Sequence, residues 1–166
     1  LVVGLAVVNT LKEFGISGIK LKWPNDVFFE DKKLAGILIE NSLQGRYQSV
    51  VIGLGLNYNL GQAFECDSPW IDLSRIMQNL PSMEALNATL INNILKYCQI
   101  FSTQGFGYFL KSWEAVDYLL GKQVEINANN QKTTGIVTGV SQNGALMIKV
   151  GGQVVEAYSS KQIRLI

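Results

Sequence analysis

Histidine is absent from all 166 residues. That absence removes every Ser-His-Asp or Cys-His nucleophile system from this chain, and every His-based metal site. Cysteine is scarce. Cys66 and Cys98 are the only two and lie far apart, so neither a metal spacing nor a disulfide framework is implied, and a cytoplasmic, reducing compartment is expected. Neither charge sign dominates: 14 Lys and Arg against 13 Asp and Glu leave a net charge of +1. The basic stripe of a nucleic-acid grip is missing. The opening apolar run, "LVVGLAVV", is far shorter than the ~20 residues that cross a bilayer, and no basic segment precedes it as in a signal peptide. Chemistry in this chain must therefore rest on Lys, Asp, Glu, Asn and backbone amides, with or without a hard cation such as Mg²⁺.

What is present is enough apolar matter for a core, 48% of the residues. Val3, Val7 and Leu11 share one helical face, and Gly15 is a plausible stop. This pattern has no capping residue or Met before Leu1, so the chain is expected to begin inside a domain. Short strands then follow one another: "GIKLKW", "VFF", a polar turn from Glu30 to Lys33, a buried strand "LAGILIENSL", a turn at Gln44–Arg46, and "YQSVVIGLGLNYNL". Consecutive strands with tight turns predict an antiparallel meander. Residues 61–69 read as a loop, "DLSRIM" as a helical turn. Ser82 should cap a long helix with Leu86, Leu90, Ile94, Tyr97 and Phe101 on its apolar face. "GFGYFLKSWEAVDYLLG" reads as a second, shorter helix. From Gly121 the helical period vanishes. About five β-branched strands with Asn129-Asn130, Asn143-Gly144 and Gly151-Gly152 turns suggest a small barrel. The expected division is 1–120 and 121–166, in an α+β fold.

Four motifs could carry chemistry, and each has an ordinary reading beside the functional one. "KWPND" is a strand end and turn, or a site where Asp26 holds Mg²⁺ with Asn25 as hydrogen-bond partner. In "KKLAG", Lys33 is a surface charge, or a cation placed beside small residues Ala35 and Gly36 that let a carboxylate or phosphate approach. "GLGLN", from Gly53 to Asn57, is close strand packing, or a flat floor under a ligand with Asn57 at its end. It is not a dinucleotide fingerprint, because Tyr58 stands where the third glycine belongs. Trp70 is packing, or a platform for a nucleobase.

The order of these motifs, Lys-Trp-Pro-Asn-Asp, then Lys-Leu-Ala-Gly-Ile-Leu-Ile-Glu, Gly-Leu-Gly-Leu-Asn and Trp-Ile-x-Leu, then two helices and a small barrel, resembles the biotin protein ligases over the whole chain. The resemblance implies a catalytic domain related in fold to class II aminoacyl-tRNA synthetases, followed by an SH3-like barrel. It implies that ATP and biotin form biotinyl-5′-AMP, with Mg²⁺, and that biotin passes to a lysine of a biotin carboxyl carrier domain of acetyl-CoA carboxylase. It places Lys33 by the biotin carboxylate and α-phosphate, and Asp26 and Asn25 on the nucleotide and metal side, with Asp26 also a candidate base. Gly36, Leu38, Gly53 and Gly55 would line the biotin pocket, Asn57 and Trp70 the nucleotide side, and the loop at 61–69 would be a lid. A basic residue of the last strand is expected to reach ATP; Lys161 and Arg164 are both available, and neither fits the spacing cleanly. The family's Gly/Arg-rich biotin loop lies upstream of the motifs present, so this polypeptide alone is expected not to form the adenylate. Two alternatives remain at this level: a binding module docking a partner through the barrel, and a nucleic-acid binder. Pairing of sheet edges into a homodimer is also compatible.

Overall fold

A computed structural model describes residues 1–61, 68–128 and 131–166. Helix α1 spans Val2–Glu13 and is followed by four strands, β1 (Lys20–Lys22), β2 (Asp26–Phe29), β3 (Lys32–Gln44) and β4 (Tyr47–Leu56). They form one antiparallel meander in the order β1-β2-β3-β4. Helix α1 ends where the periodicity predicts: Phe14 caps it and Gly15 turns with φ +83°, a conformation that costs glycine little. Its buried face lies close on the sheet. A Cβ at Gly4 would stand 3.2 Å from both methyls of Leu21.

The hairpin from β2 to β3 departs from expectation in a way that matters for the site. The turn is only Glu30–Asp31, both with positive φ (47° and 61°), the pattern of a two-residue primed turn. Lys32 and Lys33 therefore belong to β3 rather than to the turn. Val27 pairs with Ala35 but Phe28 pairs with Lys33, so Leu34 is an extra residue, a bulge. Its neighbours' backbone groups are satisfied from elsewhere. Lys33 N donates to Pro69 O (2.9 Å), Ile71 N to Lys33 O (3.0 Å), and Asn57 N to Leu34 O (2.9 Å).

Strand β3 is not buried throughout. Leu34, Ala35 and Ile37 are, but Leu38, Ile39 and Leu43 are exposed, as are Tyr47, Val50 and Val51 of β4. An apolar run reports β-propensity; it does not say whether both faces are covered, and past Ile37 the hairpin extends beyond the packed part of the sheet.

The next elements are α2 (Leu73–Ile76), α3 (Met83–Gln104) and α4 (Leu110–Val116). Ser82 caps α3 as expected, its hydroxyl accepting from Ala85 N. Helix α3 packs on α1 through a polar bridge: Asn93 Nδ2 donates to Thr10 Oγ1 (3.0 Å) and Glu13 Oε1 (3.1 Å), and Asn9 Nδ2 to Asn93 Oδ1 (3.2 Å). Buried Thr10 and Asn93 are thereby paired. The second helix is shorter than its sequence suggests. A 3₁₀ turn, Phe106–Phe109, precedes α4, and Asp117 ends it by accepting from Trp113 Nε1 (3.1 Å) and Leu119 N (2.8 Å).

Five strands complete the chain: β5 (Gln123–Ala128), β6 (Gln131–Val140), β7 (Leu146–Val150), β8 (Gln153–Ala157) and β9 (Ile163–Leu165). They form a second antiparallel sheet in the order β8-β7-β6-β5-β9. Turns fall at Asn143-Gly144 and Gly151-Gly152 as predicted; Asn129-Asn130 lies outside the described residues. Gly135 is required by close approach, since a Cβ there would meet Ile148 Cγ2 at 2.6 Å and Lys149 O at 2.7 Å. The two sheets share one continuous buried cluster, reaching from Val3 and Trp23 through Trp113 and Leu119 to Val124 and Ile148. No helix among the described residues is long and apolar enough to cross a membrane.

Candidate active site

The bulge brings two charges together. Lys33 Nζ lies 2.6 Å from Asp26 Oδ1 at the root of the hairpin, both side chains partly exposed. A half-exposed pair of this kind contributes only about 0–1 kcal/mol to stability, so folding does not require it. Gly36 gives it room: a Cβ there would sit 3.3 Å from Lys33 Cε and 3.4 Å from Nζ.

Beyond the pair runs a smooth strip. Asp26 is opposite Gly36, Gly36 opposite Gly55, and Leu38 opposite Gly53. Directly opposed residues share a face, and so do alternate ones, so Gly36, Leu38, Gly53 and Gly55 form one side of the sheet. Three of those four have no side chain, and Leu38 is exposed. An extended ligand can lie there against backbone, with the Lys33–Asp26 pair at one end of the strip.

Asn25 and Asn57 are both fixed. Asn25 Nδ2 donates to Ile37 O (2.8 Å), and Ile37 N to Asn25 O (2.9 Å). Asn57 Nδ2 donates to Lys33 O (3.2 Å) and Ile71 O (3.0 Å). Its amide hydrogens thus clamp the bulge to the segment carrying Trp70. That segment is itself bridged to the strand, Trp70 to Lys33 in parallel. The Arg75 guanidinium lies over the Trp70 ring, 4.4 Å from its centroid. Most of the lid proposed at 61–69 falls on residues 62–67, outside the described residues.

Two further residues stand here that none of the four motifs marks. Asp72 is fully buried and accepts from Leu60 N (2.9 Å), Ser74 Oγ (2.7 Å) and Arg75 N (3.2 Å). Burial pushes its carboxyl up, but those hydrogen bonds and the Arg75 charge outweigh it and hold it below the usual range. Arg75 Nη2 donates to Gly61 O (2.9 Å). The Asp-Leu-Ser-Arg spacing at the start of a helical turn was the available signal for Asp72 as a cap.

A cleft of about 360 Å³ opens on the other side of Asp26, lined by Lys22, Asn25, Asp26, Leu119, Ser160 and Arg164 among others. Of the two basic residues left open in the last segment, Arg164 lines this cleft and Lys161 does not. The described residues contain no cluster of three or more His, Cys, Asp or Glu able to cage a metal. Asp26 is the one carboxylate among the residues lining the cleft. That fits Mg²⁺ held by one carboxylate and a substrate's phosphates, and does not fit a protein-caged ion.

The fold sets a lysine–carboxylate pair at the end of a glycine floor, with a cleft lined by Lys22 and Arg164 beside it. The comparisons name the class. Residues 1–57 match the biotin/lipoate A/B protein ligase family, and residues 119–160 match the biotin protein ligase C-terminal domain. The bifunctional ligase/repressor BirA of Escherichia coli is 30% identical over 99% of this chain and 52% of its own length; that of Bacillus subtilis is 27% identical over 96% and 50%. The biotin protein ligase of Aquifex aeolicus superposes with a TM-score of 0.83 at 26% identity, over 99% of this chain and 72% of that one. The same ligase has also been solved in complex with biotin and ATP. The chain belongs to the biotin protein ligase family, and its α+β fold is that of these ligases. It spans about half the length of the curated relatives it matches.

Proposed function

We propose that this chain supplies the Lys33–Asp26 half of an ATP-dependent biotin protein ligase, with 1–120 as the catalytic part and 121–166 as its C-terminal domain. The observation that carries the reading is the 2.6 Å Lys33–Asp26 pair at the end of the Gly36–Gly55–Gly53 floor. In the first step a biotin carboxylate oxygen attacks the α-phosphorus of ATP, the bond to the β-phosphate breaks, and pyrophosphate leaves. Two anions must meet, so a fixed cation between them lowers the barrier. Lys33 is that cation: it leaves Asp26 for the carboxylate and α-phosphate when they arrive. Gly36, Leu38, Gly53 and Gly55 line the biotin pocket. Asn25, Asp26, Asn57 and Trp70 form the nucleotide side. Asn57 acts there by fixing Lys33 and the Trp70 segment, since its amide hydrogens are already used. Arg164, facing Asn25 and Asp26 across the cleft, is the basic residue for the phosphates. When bound, Mg²⁺ would neutralise phosphate charge, with Asp26 as its protein ligand.

In the second step the acceptor lysine's nitrogen attacks the biotinyl carbon, AMP leaves, and the amine proton passes to Asp26. The acceptor is a biotin carboxyl carrier domain; a relative from Paracoccus denitrificans is named a biotin–[acetyl-CoA-carboxylase] ligase. A homodimer through sheet edges is part of the same proposal. The test is biotin-dependent exchange of pyrophosphate into ATP by the full polypeptide its gene encodes, followed by transfer of biotin to a carrier domain. Exchange without biotin, or none at all, would overturn the reading.

A further inference from the structure

Arg75 is absorbed by neither the glycine floor nor the ion pair, yet it is held from two sides. Its backbone N–H is bound by Asp72 Oδ1 (3.2 Å), its Nε lies 3.9 Å from the same oxygen, and its Nη2 donates to Gly61 O (2.9 Å). Its guanidinium lies 4.4 Å over the Trp70 ring. Asp72 is fully buried and fixed by Leu60 N and Ser74 Oγ as well, so the anchor does not move with the surface. Arg75 thus ties Gly61 to Trp70, and the backbone on both sides of Trp70 is in turn bonded to Lys33 through Pro69 O and Ile71 N. A planar cation anchored on both sides is suited to fixing an indole's tilt; a lysine in its place has no plane to stack and no fork to share between the Gly61 carbonyl and the ring.

Resting on the nucleotide-side role assigned to Trp70 above, we infer that Arg75 is a positioning residue that sets the Trp70 ring as a platform for the purine base of the nucleotide. It does not touch the reacting atoms. It makes the indole a prepaid surface, so that a base stacking on it does not have to order the side chain first. The consequence is specific to one substrate: loss of Arg75 weakens nucleotide capture and leaves biotin capture and the chemical step nearly unchanged.

The experiment uses the full encoded polypeptide and the probes ATP and biotin. Nucleotide binding is read first as ATP-induced change in tryptophan emission, with Trp70→Phe as the control that removes the signal. Arg75→Lys and Arg75→Ala are then compared with wild type. The expected result is a KM for ATP raised roughly 3- to 30-fold, the range a cation–ring contact commands, with the KM for biotin and kcat within about twofold. In a Trp70→Phe background the Arg75 substitutions should add little, because the two residues act as a unit. Equal loss in ATP and biotin kinetics, or Arg75 effects undiminished in the Trp70→Phe background, would overturn the inference in favour of a purely structural role. A protein that binds ATP but shows no biotin-dependent exchange sinks the ligase reading alone, and the emission titrations of the Arg75 variants still decide this one. Absence of nucleotide binding overturns both.

Discussion

At the scale of single residues, the site turns on Lys33 and on how little surrounds it. Replacing Lys33 by Gln keeps a flexible polar side chain, one atom shorter, and removes the charge. The expected outcome is a loss of about 10²–10³ in biotin-dependent pyrophosphate exchange, the usual cost of removing one pre-organised electrostatic group. The fold should survive, since the partly exposed pair with Asp26 contributes little to stability. An unchanged exchange rate would show that the lysine is only a surface charge. Asp26→Asn separates the two steps. Given preformed biotinyl-5′-AMP, the variant should transfer biotin more slowly than wild type; an equal rate removes Asp26 as the base. A third residue-scale prediction concerns Tyr118, outside the site. Burial, then the hydrogen bond and negative charge of Asp31, push its phenol up from 10.0 to about 12. Its folded value is raised, so its contribution to stability is present below pH 10 and is lost as pH rises from there through about 12. Ultraviolet titration of the phenolate should place Tyr118 in that upper window, and Asp31→Asn should bring it down. Residue type and spacing make Lys33, Asp26 and the glycines candidates, and only their order along the chain, by its resemblance to a family, gives them roles. The bulge at Leu34 was not legible. Nothing in Lys-Lys-Leu marks an extra residue, because the bulge exists only once Pro69, Ile71 and Asn57 supply partners for the backbone around it.

At the scale of elements, the short helix α2 and the segment leading into it form one unit with the bulge, and Asp72 is its anchor. Asp72→Ala would remove the acceptor of Leu60 N and Ser74 Oγ, while Arg75 N keeps only the Asp72 carbonyl. The expected cost is about 1–2 kcal/mol, that of a lost cap, read as a lowered midpoint in urea. Asp72→Asn should recover part of it by keeping one acceptor oxygen. The pH dependence follows from the lowered pKa. A carboxylate held below 3.8 stabilises the fold above that value, and the contribution disappears as pH falls through the still lower folded value. Wild type should therefore lose stability more steeply than Asp72→Asn on acidification below about pH 4. This unit shows where local pattern runs out. The meander's turns announce themselves through Pro24-Asn25 and Gly45, and α3 through Ser82. The clamp by Asn57 and the stack of Arg75 on Trp70 join segments that only the fold makes adjacent.

At the scale of the whole molecule, the texture of the sequence and the packing of the chain divide it differently. Composition changes at Gly121, and strands replace helices there. Yet the buried cluster crosses that point without a break, and so do hydrogen bonds: Trp23 Nε1 donates to Gly144 O (3.0 Å), and Lys122 N to Leu119 O (2.9 Å). Trp23 stands one residue before the "PND" of the site and is bonded to a turn of the second sheet. The geometry of Asn25 and Asp26 therefore depends on the second sheet being in place, as does the cleft that Arg164 completes. A molecule so joined should unfold as one. Urea denaturation followed by tryptophan emission and by far-ultraviolet dichroism should give coincident transitions. Trp23→Phe removes the cross-sheet hydrogen bond while keeping an aromatic ring, and should move that single transition down by about 1 kcal/mol without splitting it. Two separated transitions in wild type, or a Trp23→Phe shift confined to one of them, would mean that the two sheets are independent units. The dependence of Asp26 on the second sheet would then have to be given up.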